Sequence, residues 1–262
     1  MSATLDKAAL GEILAASDVA YFEAAAENNH CAGGVISQVP GFPGLPLACV
    51  LHSLTGIDDV DTWIQKIEAC FATRGALWVR FYLQQLSDKQ REQLQKKGYR
   101  ELLELGFATR LGDTCCEGMV LKRCLSVQQW QEYTRLSLVS VSGPDGFDMD
   151  GDSYVRVSRL KAEAGYMTPY LAFLHGKLVG FVNLSFQGDF ARCKNLLVHP
   201  DFRDQGVGSG IVATAMAVAR DHGARFFGAY AITGEPSVAL YRGLGMVEVT
   251  RQFEWSRLIG ST

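Results

Sequence analysis

Asn195-Leu196-Leu197-Val198-His199-Pro200-Asp201-Phe202-Arg203-Asp204-Gln205-Gly206-Val207-Gly208-Ser209-Gly210 reads as a buried strand that runs through a glycine-rich turn into an amphipathic helix. Such a turn is an anion cradle. Gly206 and Gly208 remove the Cβ atoms that would hold a diphosphate away from the backbone, and the free N–H groups and dipole of the helix start point at it. A G-x-G pattern alone is more often a tight turn than a phosphate site, so its surroundings decide the reading.

Downstream, the helix continues to His222 with Gly223 as its C-cap, followed by a strand at Phe226 to Ala231, a short helix at Ser237 to Gly243 and a final pair of strands from Val247 to Leu258. Upstream lie three apolar strands, Met167 to Leu174, Leu178 to Phe186 and Phe190 to Val198. The turn pairs His175-Gly176 and Gly188-Asp189 separate them, which predicts an antiparallel meander. A helical patch from Gln128 to Leu138, a loop from Ser140 to Gly151 and a helix from Ser153 to Ala164 precede the meander. In the first half, Leu10 to Asn29 reads as a helix and Val35 to Leu54 as strands. Asp59-Val60-Asp61-Thr62 opens an amphipathic helix carrying Trp63, Ile64, Ile67 and Phe71, and Ala76 to Leu83 is rich in strand formers. A further helix spans Ser87 to Leu105, interrupted at Gly98, and Gly118 to Leu125 closes this half as a strand. Both halves end in the order strand, helix, strand, helix, strand. That order predicts an α/β architecture with mixed sheets, built as a degenerate duplication with domains at residues 1–125 and 126–262.

Composition bounds the function. The 262 residues are 48% apolar, with 25 Lys+Arg against 28 Asp+Glu and a net charge of −3. That is too little positive charge for a dedicated nucleic-acid binder. No run approaches the roughly 18 apolar residues of a membrane span; the best, Gly210 to Ala219, stops at Arg220. The opening residues lack the basic start and apolar core of a secretory signal. Seven cysteines, at 31, 49, 70, 115, 116, 124 and 193, are odd in number and irregularly spaced, which predicts reduced thiols in a cytoplasmic protein. There is no C-x-x-C pair, and no metal site is expected. Asp148-Met149-Asp150-Gly151-Asp152 resembles a calcium loop, but Ser153 replaces the turn glycine and Arg159 stands where a bidentate Glu belongs, so it is read as a helix-capping loop.

With V-x-P-x-x-R-x-x-G-x-G after a strand and Ala239-Leu240-Tyr241-Arg242-Gly243-Leu244-Gly245-Met246 downstream, the segment from Met167 to Leu258 closely resembles the GNAT superfamily of N-acetyltransferases. Arg203-Asp204-Gln205-Gly206-Val207-Gly208 matches that family's acetyl-CoA signature. The resemblance implies that the backbone of Leu196, Leu197 and Val198 pairs with pantetheine. It implies that the amides across Asp204, Gln205, Gly206, Val207, Gly208 and Ser209 hold the pyrophosphate beside Arg203, and that Tyr241 protonates the departing CoA sulfur. With its divergent first half, the chain looks like the tandem GNAT-like proteins of bacteria.

Three positions depart from the family pattern. Asp204 brings a carboxylate to the diphosphate, Gly234 stands where an asparagine is frequent, and Arg192, Cys193, Lys194 and Asn195 leave the strand before the loop without a carboxylate. Other residues have plainer explanations: Tyr241 could be a core aromatic, Arg203 a solvated loop charge, His199 structural, and His175 and Asp189 turn residues. In the first half, three carboxylates at 58, 59 and 61 would repel a diphosphate. The residue matching Tyr241 is Leu102 or Leu94, depending on whether Leu105-Gly106-Phe107 or Gly98-Tyr99 is the counterpart of Leu244-Gly245-Met246, and neither donates a proton. The expectation is an acetyl-CoA-dependent N-acetyltransferase that needs no metal and acts on the primary amine of a small molecule, with Glu163 and Glu235 as weak candidate bases. The alternatives are a protein lysine or N-terminal acetyltransferase, or a non-catalytic acyl-CoA-binding sensor or scaffold. No nucleic-acid or membrane partner is expected, and the sequence sets no oligomeric state.

Overall fold

A computed structural model describes residues 6–57, 59–114, 116–140 and 151–259. In chain order the elements begin with α1 (Lys7–Glu23), β1 (Glu27–Cys31), β2 (Gly34–Gln38), β3 (Cys49–His52), α2 (Val60–Ala72), β4 (Trp78–Leu83), α3 (Asp88–Lys96), β5 (Arg100–Arg110) and β6 (Met119–Arg123). They continue with α4 (Val127–Ser140), α5 (Gly151–Glu163), β7 (Thr168–Leu174), β8 (Lys177–Gln187), β9 (Phe190–Val198), α6 (Val207–Asp221), β10 (Phe226–Ile232), α7 (Pro236–Gly243) and β11 (Val247–Leu258). These elements form two compact units, one of Met1–Ser17 with Leu105–Thr250 and one of Asp18–Glu104 with Arg251–Thr262. We call them the glycine-loop unit and the companion unit.

In the glycine-loop unit the strand order is β5-β10-β9-β8-β7-β6. The strands β7 to β9 pair antiparallel in succession, as the turn pairs predict; β6 pairs antiparallel with β7, and β10 runs parallel to β9. Apolar side chains at helical spacing cover the sheet. Tyr133 and Leu136 of α4 and Val155 of α5 pack on Leu171 and Phe181, while Leu10 and Leu14 of α1 pack with Ala108 and Phe190. The loop expected at 140–151 falls mostly outside the described residues.

The companion unit orders its strands β1-β2-β3-β4-β11, with β3 parallel to β4 and β11 antiparallel to β4. Its core joins Trp63, Ile64, Ile67 and Phe71 of α2 to Leu51, Val79, Phe81 and Trp255. The stripe at i, i+1, i+4 and i+8 is the one read from sequence, and Asp59 caps this helix as expected, its Oδ2 accepting from Thr62 N at 2.9 Å.

Several expectations need correction. The division into units does not fall at residue 125, because β6 pairs with β7 and because β5 and β11 each pass from one unit to the other. The helix expected over Ser87 to Leu105 stops at Gly98, whose φ of +82° suits only a left-handed terminus; Arg100–Arg110 is a strand. Its Glu and Leu residues favour a helix locally, and pairing overrides that preference. The final strand pair is one continuous strand, β11. The first helix ends at Glu23, since Asn28 and Asn29 belong to a hairpin that pairs β1 with β2. Lastly, Cys31 and Cys70 form a disulfide between β1 and α2, against the expectation that every cysteine is reduced; Cys49, Cys116, Cys124 and Cys193 are free thiols. The cause is proximity across the companion unit, which irregular sequence spacing conceals.

Candidate active site

The site is set by where β9 loses a partner. Its parallel register with β10 runs through Phe190, Ala191 and Arg192, opposite Phe226, Phe227 and Gly228, and stops there. On its other edge, pairing with β8 continues to Val198 opposite Gly180. Between these ends lies a bulge: Asn195 has φ +55°, and the register slips between Phe181 and Asn183. From Cys193 to Val198 the edge toward β10 therefore has no strand partner among the described residues. Apart from Val198 O, which accepts from Arg203, the N–H and C=O groups on that edge are left for another extended chain, and Leu196, Leu197 and Val198 are half-buried.

Beyond β9 the chain turns through His199, whose Nδ1 accepts from Asp201 N at 3.3 Å, a structural role as expected. Arg203 is exposed and its Nε donates to Val198 O at 3.2 Å, fastening the loop to the strand end. Gln205 Nε2 donates to Asp201 O at 2.9 Å. Asp204 and Gly206 both take left-handed backbone, at φ +59° and +74°, and Asp204 is exposed. Gly206 caps α6 without any side chain accepting from the first-turn amides, so those donors and the positive end of the helix dipole face outward.

The two glycines serve different ends. A Cβ on Gly206 would meet nothing, so its glycine is needed for the backbone turn and for an open approach. A Cβ on Gly208 would stand 2.9 Å from Leu240 Cδ1, so that glycine lets α6 pack on α7. Val207 is buried and Ser209 half-buried beside it.

Tyr241 projects from α7 into the unit and is 4% exposed. Its hydroxyl meets the thiol of Cys193 on β9, the first residue past the end of β10 pairing, and its ring lies 6.0 Å from Phe107. Burial holds the phenol well above its ordinary value, the Cys193 thiol adds to that shift, and Arg192 opposes it. Tyr241 thus stays protonated at physiological pH. Burial likewise pushes the Cys193 thiol up to about 12. Gly234, where an asparagine is frequent in the resembling family, has φ +90°, a conformation that glycine and asparagine tolerate best.

Of the weak candidate bases, Glu163 is exposed and paired with Arg159 at 2.8 Å, and Glu235 is exposed at the N-cap of α7. Sequence reading missed Lys161 of α5, which is 1% exposed and which burial, followed by the charge of Lys194, pushes down to about 7. The signal was available in its spacing: Ser158 and Lys161 lie three apart on the buried stripe of α5. Among the described residues no group of three His, Cys, Asp or Glu could hold a metal ion, and no helix is long and apolar enough to cross a membrane.

In the companion unit the corresponding features are the helix ended by Gly98 and the start of α2. Tyr99 N donates to Leu94 O at 3.1 Å after Gly98, as Met246 N donates to Tyr241 O at 3.1 Å after Gly245. Of the two residues weighed against Tyr241, Leu94 lies on helix α3 and Leu102 on strand β5, and neither side chain donates a proton. At the start of α2 the Asp59 carboxylate already occupies the first-turn amides that a diphosphate would need.

Residues 130–246 match the acetyltransferase (GNAT) family. Among solved structures the chain is similar to a GCN5-related N-acetyltransferase from Kribbella flavida, at 15% identity over 96% of each chain and a TM-score of 0.67. It is also similar to a conserved protein of unknown function from Staphylococcus epidermidis, at 14% identity over 89% of this chain and 94% of that one, with a TM-score of 0.70. A tandem GNAT protein from the clavulanic acid biosynthesis pathway matches at 13% identity over 87% of this chain and 79% of that one, with a TM-score of 0.55. At these identities the likeness is one of fold. No curated protein matches the chain in sequence.

Proposed function

Since residues 130–246 of this chain belong to the acetyltransferase (GNAT) family, we propose that the protein transfers acetyl from acetyl-CoA to the primary amine of a small molecule. The observation that carries this reading is the unpaired edge of β9, which leads directly into the uncapped, glycine-started helix α6 and has the Tyr241 hydroxyl beside it. Pantetheine is an extended amide chain that the Leu196 to Val198 backbone can pair, and its diphosphate suits the outward amides from Asp204 to Ser209. The exposed Asp204 carboxylate can stay in solvent. A neutral amine then attacks the thioester carbonyl, a backbone N–H of Leu197 or Val198 polarises that carbonyl, and Tyr241 gives its proton to the departing sulfur. Acetyl-CoA as donor fits a cytoplasmic protein.

The test is CoA release from acetyl-CoA with a panel of primary amines, comparing wild type with Tyr241→Phe. The substitution keeps the ring and removes the proton, so turnover should fall on the order of 10²–10⁴-fold while CoA affinity by calorimetry stays within a few-fold. An unchanged rate, with chemistry shown to limit turnover, would return Tyr241 to the core. Tight CoA binding without turnover on any amine would favour a sensor or scaffold.

A further inference from the structure

Across the bulge of β9, Asn195 and Leu196 together stand opposite the single residue Val182 of β8, between the pairs Asn183 with Lys194 and Phe181 with Leu197. A left-handed first residue in a bulge is usually glycine, and here it is Asn195, at φ +55°. A side chain kept in that conformation carries backbone strain that glycine would avoid, so it calls for a reason beyond the turn itself. Its surroundings supply one. Asn195 Nδ2 is shielded from solvent and has no hydrogen-bond partner among the described residues, which leaves a donor directed into the protein and unused. Building on the acetyltransferase reading above, we propose that Asn195 Nδ2 donates to the thioester carbonyl oxygen of acetyl-CoA and stabilises the negative charge that gathers there during transfer.

Strand register places this donor. Cys193 lies opposite Leu184 and Val198 opposite Gly180, so the alternate β8 residues 180, 182 and 184 mark one face of the sheet. Asn195, opposite Val182, shares that face with Cys193, whose thiol meets the Tyr241 hydroxyl. Helix α6 packs there too: a Cβ on Gly180 would stand 3.0 Å from Ile211 Cδ1. Lys194 and Leu197 fall on the opposite face, against a polar layer in which Asn183 Nδ2 donates to the Tyr133 hydroxyl at 3.0 Å. Asn195 also lies within the stretch of β9 that has lost its neighbour, since parallel pairing with β10 ends at Arg192 opposite Gly228. With the diphosphate at the turn from Asp204 to Ser209, an extended pantetheine arm runs back along that edge and carries its thioester end deepest into the sheet. Asn195 is three residues, about 10 Å of strand, before Val198. Acid and amide donor are thus set two strand residues apart on one face of the open edge, the acid for the sulfur and the amide for the oxygen.

A side-chain amide suits the task because it donates without losing its proton. As the lone pair of a neutral amine bonds to the carbonyl carbon, the π pair of the C=O bond moves onto oxygen, where Nδ2–H and the backbone N–H of Leu197 or Val198 receive it. When the C=O bond re-forms the C–S bond breaks, the sulfur takes the Tyr241 hydroxyl proton, and the phenolate recovers a proton from the nitrogen of the new amide. A donor already in place when charge develops stabilises the transition state more than the ground state. The lack of a carboxylate among Arg192, Cys193, Lys194 and Asn195 fits this role, because a negative charge there would oppose the one forming on oxygen.

Two variants separate the amide from the turn. Asn195→Gly keeps the left-handed backbone at lower strain and removes the donor, and Asn195→Asp keeps the side-chain shape with acceptors in its place. Calorimetry compares CoA, which has no thioester carbonyl, with the unreactive ketone analogue of acetyl-CoA in which a methylene replaces the sulfur. Both variants should bind CoA within about twofold of wild type and the ketone about three- to tenfold more weakly. Their kcat with the most reactive of propylamine, phenethylamine, spermidine and free lysine should fall on the order of 10²-fold. Circular dichroism and thermal melts verify folding. A wild-type kcat in Asn195→Gly, or a loss of affinity equal for CoA and the ketone, overturns the proposal and leaves the acetyltransferase reading intact. Wild type that binds CoA but acetylates none of the four amines overturns both.

Discussion

At the residue scale, one position separates helix stability from cofactor recognition. Ser209 lies in the first turn of α6, half-buried, where no side chain caps the amides. A carboxylate there satisfies the helix dipole and stabilises the fold by about 0.3–1 kcal/mol, yet it occupies the place proposed for the diphosphate and would repel it. Ser209→Glu should therefore melt at or above the wild-type temperature while losing at least tenfold in CoA affinity. On the proposed reading Asp204→Asn should gain affinity, because it removes a carboxylate from the turn proposed to hold the diphosphate. Calorimetry with CoA and thermal melts read both effects, and undiminished affinity in Ser209→Glu would move the diphosphate away from this loop. Gly208 is a poorer probe, since any Cβ there strikes Leu240 before it can report on a ligand.

Local chemistry was the legible part of this chain, and long-range register was not. Gly206, Gly223 and the Asp59 cap announce themselves because one residue's conformation or one side-chain oxygen makes each feature. The sheet meander follows from two turn pairs. By contrast, Arg100–Arg110 carries a helical composition and becomes a strand only through its neighbours. The bulge at Asn195 hides the polar layer: Lys194 and Leu197 share a face although strict alternation over three residues would separate them. Helix α5 reads from sequence only as a helix over Ser153 to Ala164, and nothing in that reading singles out Lys161. Its burial has a consequence for stability. Lys161 titrates near 7 in the fold against 10.5 in its ordinary state. Below pH 7 both the folded and the unfolded chain hold the proton, and the full cost of burying the charge is present. Between pH 7 and 10.5 the unfolded chain binds more protons, so this contribution to stability rises with pH, by up to about 1.36 kcal/mol per unit. Lys161→Met should be more stable than wild type by a few kcal/mol at pH 6, and the advantage should shrink at pH 9. Urea unfolding at the two pH values measures it; an equal gain at both would mean that the lysine is charged in the fold throughout.

On the scale of the whole molecule, sequence order and structural unit part company. The glycine-loop unit takes the first part of α1 from the start of the chain and the second part of β5 from its middle, and Leu10, Leu14 and Ala108 pack with Phe190 of β9 in one core cluster. The strand with the unpaired edge is therefore supported by residues outside 126–262. Losing one buried leucine costs about 2–5 kcal/mol, comparable to much of the net stability of a domain, and a fragment of residues 126–262 loses two of them together with β6, the strand that pairs with β7. Such a fragment should aggregate or bind CoA at least tenfold more weakly, whereas co-expression with residues 1–125 should restore a soluble, CoA-binding complex in which both pieces copurify. Size-exclusion chromatography and calorimetry distinguish the outcomes. A monomeric, soluble fragment with wild-type CoA affinity would show that the glycine-loop unit needs neither α1 nor β5, and that the division at residue 125 read from the sequence is the functional one after all.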